Sequence, residues 1–170
     1  PGMYAIYALI MTVFGQTHSG IHLGLLIINA ATILLMFFLG KRLFGSLIGA
    51  AAAVTFALLS LGQHVQGIFA NSEHFVIFFA IGGIVLVLRA ADTQRYLSLL
   101  MGAVLLGASF LIKQHSAAFI VFMAVYLFFR EFRRPSFAWK PFVARGLVYL
   151  VGVLLPFTLT CLVLWRVGVF

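Results

Sequence analysis

Two side chains have the type and placement to do chemistry, Glu73 and Lys113, each an ionisable group set at the end of a long apolar run. Ionisable groups at membrane depth cost several kcal/mol, roughly, and as a rule face a cavity or one another rather than lipid. Glu73 lies in Asn71-Ser72-Glu73-His74. Asn71 or Ser72 can cap the helix that follows, which places Glu73 in its first turn, where the positive end of the helix dipole favours a carboxylate. Two readings stand: Glu73 stabilises that helix end, or it faces an external cavity and there ligates a divalent cation or holds an acceptor hydroxyl. Lys113 lies in Leu111-Ile112-Lys113-Gln114-His115-Ser116, a strongly polar break between two apolar runs. It either binds an anion such as a lipid phosphate, with Gln114 and His115 adding donors, or snorkels at a helix end among ordinary interfacial polarity.

The remaining polar residues offer less. His18 and His22 have the i, i+4 spacing that puts two imidazoles on one helix face, but without an intervening Glu the pattern is nonspecific as a metal motif. Thr17, His18 and Ser19 read more naturally as a polar break before the next helix. His64 and His74 carry no stronger signal. Cys161 has no partner cysteine, which excludes a disulfide framework and a cysteine metal site. Asp92 and Glu131 lie among arginines and read as solvated loop charges. The identity of any metal is left open.

The elements that must position these residues follow from composition. Of 170 residues, 64% are apolar and 8% charged, with a mean hydropathy of +1.19. A water-soluble domain covers itself with about a quarter charged residues, so the remaining solvent is lipid. Crossing about 30 Å of hydrocarbon takes about 20 apolar residues. Gly20 to Gly40 and Gly146 to Trp165 meet that length; Ser46 to Gly62, His74 to Leu88, Leu97 to Ile112 and Ser116 to Phe129 need their polar flanks to finish the crossing. Met3 to Phe14 is shorter and reads as an interfacial helix entered from Pro1. The runs lack the alternation of a membrane barrel. Gly45, Gly49 and Ala50 to Ala53 form a small-residue stripe suited to close helix packing. The expectation is an all-α polytopic membrane protein of about six transmembrane helices plus a short N-terminal interfacial helix. It is read as a single transmembrane helical domain over residues 1–170, cut from a larger protein at both ends.

If the six longer runs each cross once, the breaks after Gly40, Leu88 and Phe129 share a side and hold nine of the eleven basic residues: Lys41, Arg42, Arg89, Arg95, Arg130, Arg133, Arg134, Lys140 and Arg145. Lys and Arg in short loops stay cytoplasmic. Lys113 and Arg166 then lie outside, with all five histidines and Glu73. The basic excess is thus topological, and no nucleic-acid partner is expected.

In their order, these features resemble the GT-C glycosyltransferases that use polyprenyl-phosphate sugars, the superfamily around protein O-mannosyltransferases and bacterial aminoarabinose transferases. Pro1-Gly2-Met3-Tyr4 followed by Ile10-Met11-Thr12-Val13-Phe14-Gly15 resembles the family's proline motif, short helix and Phe-Gly ending. Leu39-Gly40-Lys41-Arg42-Leu43-Phe44-Gly45 is similar to its cytoplasmic turn, Ala70-Asn71-Ser72-Glu73 to a second external acidic position, and Leu111-Ile112-Lys113-Gln114 to its lysine at the outer end of a later helix. The resemblance covers residues 1 to about 130. It implies transfer of a sugar from a lipid-linked polyprenyl-phosphate donor to an acceptor hydroxyl, on the periplasmic or extracellular face of a bacterial inner membrane. It implies that Glu73 lines the catalytic cavity and that Lys113, with Gln114 and His115, approaches the donor phosphate. A divalent cation is a possible cofactor. The family's first external acidic residue belongs to a loop before the proline motif, so the general base is expected outside this chain, and His22 stands where the family has an arginine. The alternative reading is a transporter or channel fragment. It is disfavoured because Glu73 and Lys113 sit at helix ends, away from the midplane.

Overall fold

The computed structural model describes residues 2–62, 70–133 and 137–169. Among these there is no strand, and seven α-helices follow one another: α1 Gly2–Phe14, α2 His18–Phe44, α3 Ser46–Ser60, α4 Ser72–Thr93, α5 Tyr96–Ile112, α6 Ala117–Phe132 and α7 Trp139–Arg166. A 3-10 turn, Gln114–Ser116, leads into α6. Each of the six apolar runs is therefore a helix, and the short segment before them is a seventh. Helix α2, helix α4, the turn together with α6, and helix α7 are long and apolar enough to cross a membrane. Helices α3 and α5 have 15 and 17 residues, about 22–26 Å at 1.5 Å per residue, so a full crossing draws on their capping residues. Several helices run past the apolar stretches. Helix α2 takes in His18 at one end and Lys41 and Arg42 at the other, because amphipathic side chains extend their heads to the interface while the backbone stays helical. Large apolar side chains such as Leu47, Leu97 and Leu147 point outward, as lipid-facing residues do.

The chain forms two compact units, Pro1–Gly82 and Gly83–Phe170. In the first, α2 and α3 make a hairpin turned at Gly45, whose φ of 96° lies where L side chains are strained. The small-residue stripe lets the two backbones touch: a Cβ on Gly49 would lie 2.6 Å from the Lys41 nitrogen and 2.7 Å from the Phe37 oxygen. Helix α1 packs on the start of α2 through Ile10, which fills the space over Gly24. Thr17 caps α2, its Oγ1 accepting from the Gly20 N–H at 3.0 Å.

In the second unit, α5 packs on α7 through Gly107, set against the Val153 carbonyl, and Gly152, set against Ala103. Tyr149 of α7 donates to the Ile120 carbonyl of α6 at 2.7 Å. The acids here differ from the expectation of solvated loop charges. Glu131 is buried and paired with the buried Arg145, and Asp92 is paired with Arg130, which also donates to the Tyr126 hydroxyl at 2.8 Å. The physical reason is that α4 and α6 run past their apolar stretches, so both acids sit on helical turns within reach of arginines on α6 and α7.

Candidate functional site

Glu73 occupies the first turn of α4, as its spacing from Asn71 implied. The helix begins at Ser72; the Asn71 carbonyl accepts from the His74 N–H at 3.3 Å. Ser72 does not reach back to cap the backbone. Its hydroxyl donates to Glu73 Oε2 at 3.1 Å, which orients the carboxylate while leaving it exposed. The neighbours on the chain point the other way: His74 and Phe75 are buried. This end of α4 is held by α1, for the Tyr7 hydroxyl donates to the Ala70 carbonyl and its ring meets Phe75 edge-on at 6.1 Å. Burial pushes the Tyr7 phenol above the usual tyrosine range, so the group remains a donor. The short first helix thus braces the segment that carries Glu73. His64 lies outside the described residues.

Lys113 sits where α5 stops. Its backbone is extended, φ −147° and ψ 128°, which interrupts the helix without a glycine or proline. Hydrogen bonds on both sides fix it: its N–H donates to the Ser109 carbonyl at 3.1 Å, and its own carbonyl accepts from the Ser116 N–H at 3.1 Å and the Ser116 hydroxyl at 2.9 Å. Ser109 and Ser116 are fully buried, and their hydroxyls lie 3.2 Å apart. Lys113 is half-buried, and Gln114 and His115 are exposed. The first amides of a helix have no partner within it and carry the positive end of its dipole. Lys113, Gln114 and His115 therefore form one short cationic turn at the mouth of α6, suited to a phosphate.

Glu73 and the 113–115 turn lie in different units, and each is a local arrangement in its own right. His18 and His22 do share a face, with Nε2 atoms 3.1 Å apart. Among the described residues no three metal-ligating side chains come together. Hard cations such as Mg²⁺ or Ca²⁺ take oxygen ligands, waters among them, and Glu73 offers one exposed carboxylate for such an ion. The residues that sequence reasoning missed are Tyr7, Ser109 and Ser116. The serines carried a faint signal, two hydroxyls flanking Lys113 in an apolar stretch; Tyr7 carried none, because its partner is 63 positions away.

A family model described as dolichyl-phosphate-mannose-protein mannosyltransferase matches residues 1–164. No curated protein and no solved structure matches the chain.

Proposed function

The chain belongs to the dolichyl-phosphate-mannose-protein mannosyltransferase family, and from that premise we propose that this integral membrane glycosyltransferase moves a sugar from a polyprenyl-phosphate carrier to an acceptor hydroxyl on the non-cytoplasmic side. The acceptor oxygen forms a bond to the anomeric carbon as the bond from that carbon to the carrier phosphate breaks. The electron pair leaves with the phosphate, and the acceptor proton passes to a general base. No step is assigned to a metal ion.

The observation that carries this reading is the turn at Lys113. A lysine on the side that the basic-loop rule leaves poor in cations needs another reason to be there, and its backbone is clamped by two buried serines. In this reading the charge of Lys113 and the amides of the helix end stabilise the negative charge that grows on the leaving phosphate. Donors fixed in advance of the reaction commonly account for most of the rate enhancement in such transfers. In the same reading Glu73, oriented by Ser72, holds the acceptor hydroxyl. The basic residues at the opposite helix ends, including Lys41, Arg42, Arg89 and Arg95, support a cytoplasmic side there, and with it a non-cytoplasmic position for both groups.

The test is sugar transfer from a radiolabelled polyprenyl-phosphate sugar in membranes containing the protein. Lys113→Ala is expected to lower kcat by about a hundredfold or more, in line with the loss of one transition-state donor, and Lys113→Arg to retain part of the activity. Gln114→Ala and His115→Ala remove single hydrogen bonds and cost about tenfold or less. Glu73→Gln lowers transfer with the donor KM unchanged. Wild-type rates in both Lys113→Ala and Glu73→Gln would reject the assignment.

A further inference from the structure

His18 and His22 stand one turn apart at the start of α2, His18 exposed and His22 half-buried, with rings at 87° and centroids 4.4 Å apart. Their Nε2 atoms are 3.1 Å from one another. For that contact to be a hydrogen bond, one nitrogen donates and the other accepts through its lone pair. A metal ion takes the place of the shared proton and uses a lone pair from each of the two nitrogens. Two imidazoles held about 2.0–2.1 Å from one ion have nitrogens about 2.9 Å apart when they subtend a right angle and about 3.3 Å apart at the tetrahedral angle. The observed separation falls between these limits.

We propose that His18 and His22 form a bidentate site for a borderline divalent transition ion, Zn²⁺, Ni²⁺ or Cu²⁺, at the N-terminal end of α2. Three features on this segment point the same way. Thr17 fixes the first turn by capping it, so the two histidines start from a defined helical register. Gly20 lies against the Gly15 and Phe14 carbonyls, which holds the turn between the histidines on α1 and keeps their shared face outward. The contact between the two Nε2 atoms is open to solvent, so water completes the coordination sphere and binding requires no rearrangement of the core. Imidazole nitrogen selects these ions over Mg²⁺ and Ca²⁺, which prefer oxygen. The positive end of α2 opposes any cation, and two simultaneous nitrogen bonds are needed to overcome it.

The inference stands apart from sugar transfer, and the experiment separates the two. Tag-free protein purified in detergent is titrated with Cu²⁺ and followed by calorimetry and by electron paramagnetic resonance. The expected result is one tight equivalent whose spectrum reports two equatorial nitrogens. His18→Ala and His22→Ala each weaken that binding at least tenfold and leave one nitrogen. The double change His22→Ala with Leu23→His keeps two imidazoles but breaks their shared face, and it is expected to bind like the single variants. His115→Ala, Glu73→Gln and Lys113→Ala bind as the wild type does, whatever their effect on transfer. Wild-type affinity in His18→Ala or in the Leu23→His double variant, or a single-nitrogen spectrum in the unaltered protein, overturns the proposal.

Discussion

Glu131 and Arg145 carry opposite charges where neither meets much water, at 7% and 8% exposure. Bringing two ions out of water costs more than their attraction reliably returns, whereas stranding one of them is severe. Arg145→Met alone, or Glu131→Leu alone, is therefore expected to destabilise the protein by about 3–5 kcal/mol. The double variant loses less than either single one, and thermal unfolding in detergent reads the cycle. A smaller effect belongs to Ser116, whose hydroxyl donates to the Lys113 carbonyl. Ser116→Ala removes one buried hydrogen bond, about 1 kcal/mol, and loosens the turn that presents Lys113. Because the serine acts through the lysine, Ser116→Ala lowers transfer in the wild type but adds no further loss to Lys113→Ala, the non-additivity expected of coupled sites. Glu73 and Lys113 stand out in the sequence as candidates because an ionisable group beside an apolar run is conspicuous. Their supports were not. Ser109 and Ser116 matter because one extended residue folds the chain so that their hydroxyls meet, and the pairing of Glu131 with Arg145 depends on which turns of α6 and α7 face each other.

Helix packing turns on where backbone meets backbone. The stripe from Gly45 to Ala53 was readable as a close-packing face, and α2 and α3 use it. Gly49 has no room for a side chain, since an added Cβ would press on main-chain atoms of Lys41 and Phe37 at 2.6 and 2.7 Å, and main chain cannot rotate aside as a side chain can. Gly49→Ala is expected to cost about 1–3 kcal/mol, as overpacking does, seen as a lower midpoint of thermal unfolding. Gly146 makes the comparison. It is also within a helix, but a Cβ there meets nothing within 4 Å, so Gly146→Ala is neutral or raises stability by about 0.5–1 kcal/mol through the lost backbone entropy of glycine. Helix identity was readable from apolar run length, while helix ends were not, because lysines, arginines and histidines at an interface satisfy a helical turn as well as a loop. The bracing of α4 by α1 was invisible for a different reason: the Tyr7 to Ala70 hydrogen bond joins parts of the chain whose proximity only the packing of α1 creates.

At the scale of the molecule, side of membrane decides what Glu73 and Lys113 can do, and it rests on whether the short helices α3 and α5 cross. At about 22–26 Å each falls short of about 30 Å of hydrocarbon and reaches both interfaces only if its flanks snorkel or the bilayer thins, which costs fractions of a kcal/mol per Å. If both cross, the nine basic residues of the alternate breaks fall on one side, the arrangement that the basic-loop rule favours. Single cysteines in a Cys161→Ser background read this directly. Gln114→Cys is exposed in the structure and is expected to react with a membrane-impermeant maleimide in intact cells. Lys41→Cys and Lys140→Cys, also at exposed positions, react only after the membrane is opened. If α5 lies along the interface instead of crossing, Gln114→Cys joins Lys41→Cys in labelling only after the membrane is opened, while Lys140→Cys, one crossing further on, labels in intact cells. That outcome would remove the phosphate-binding role from the Lys113 turn, since a lysine on the cytoplasmic face is explained by topology alone.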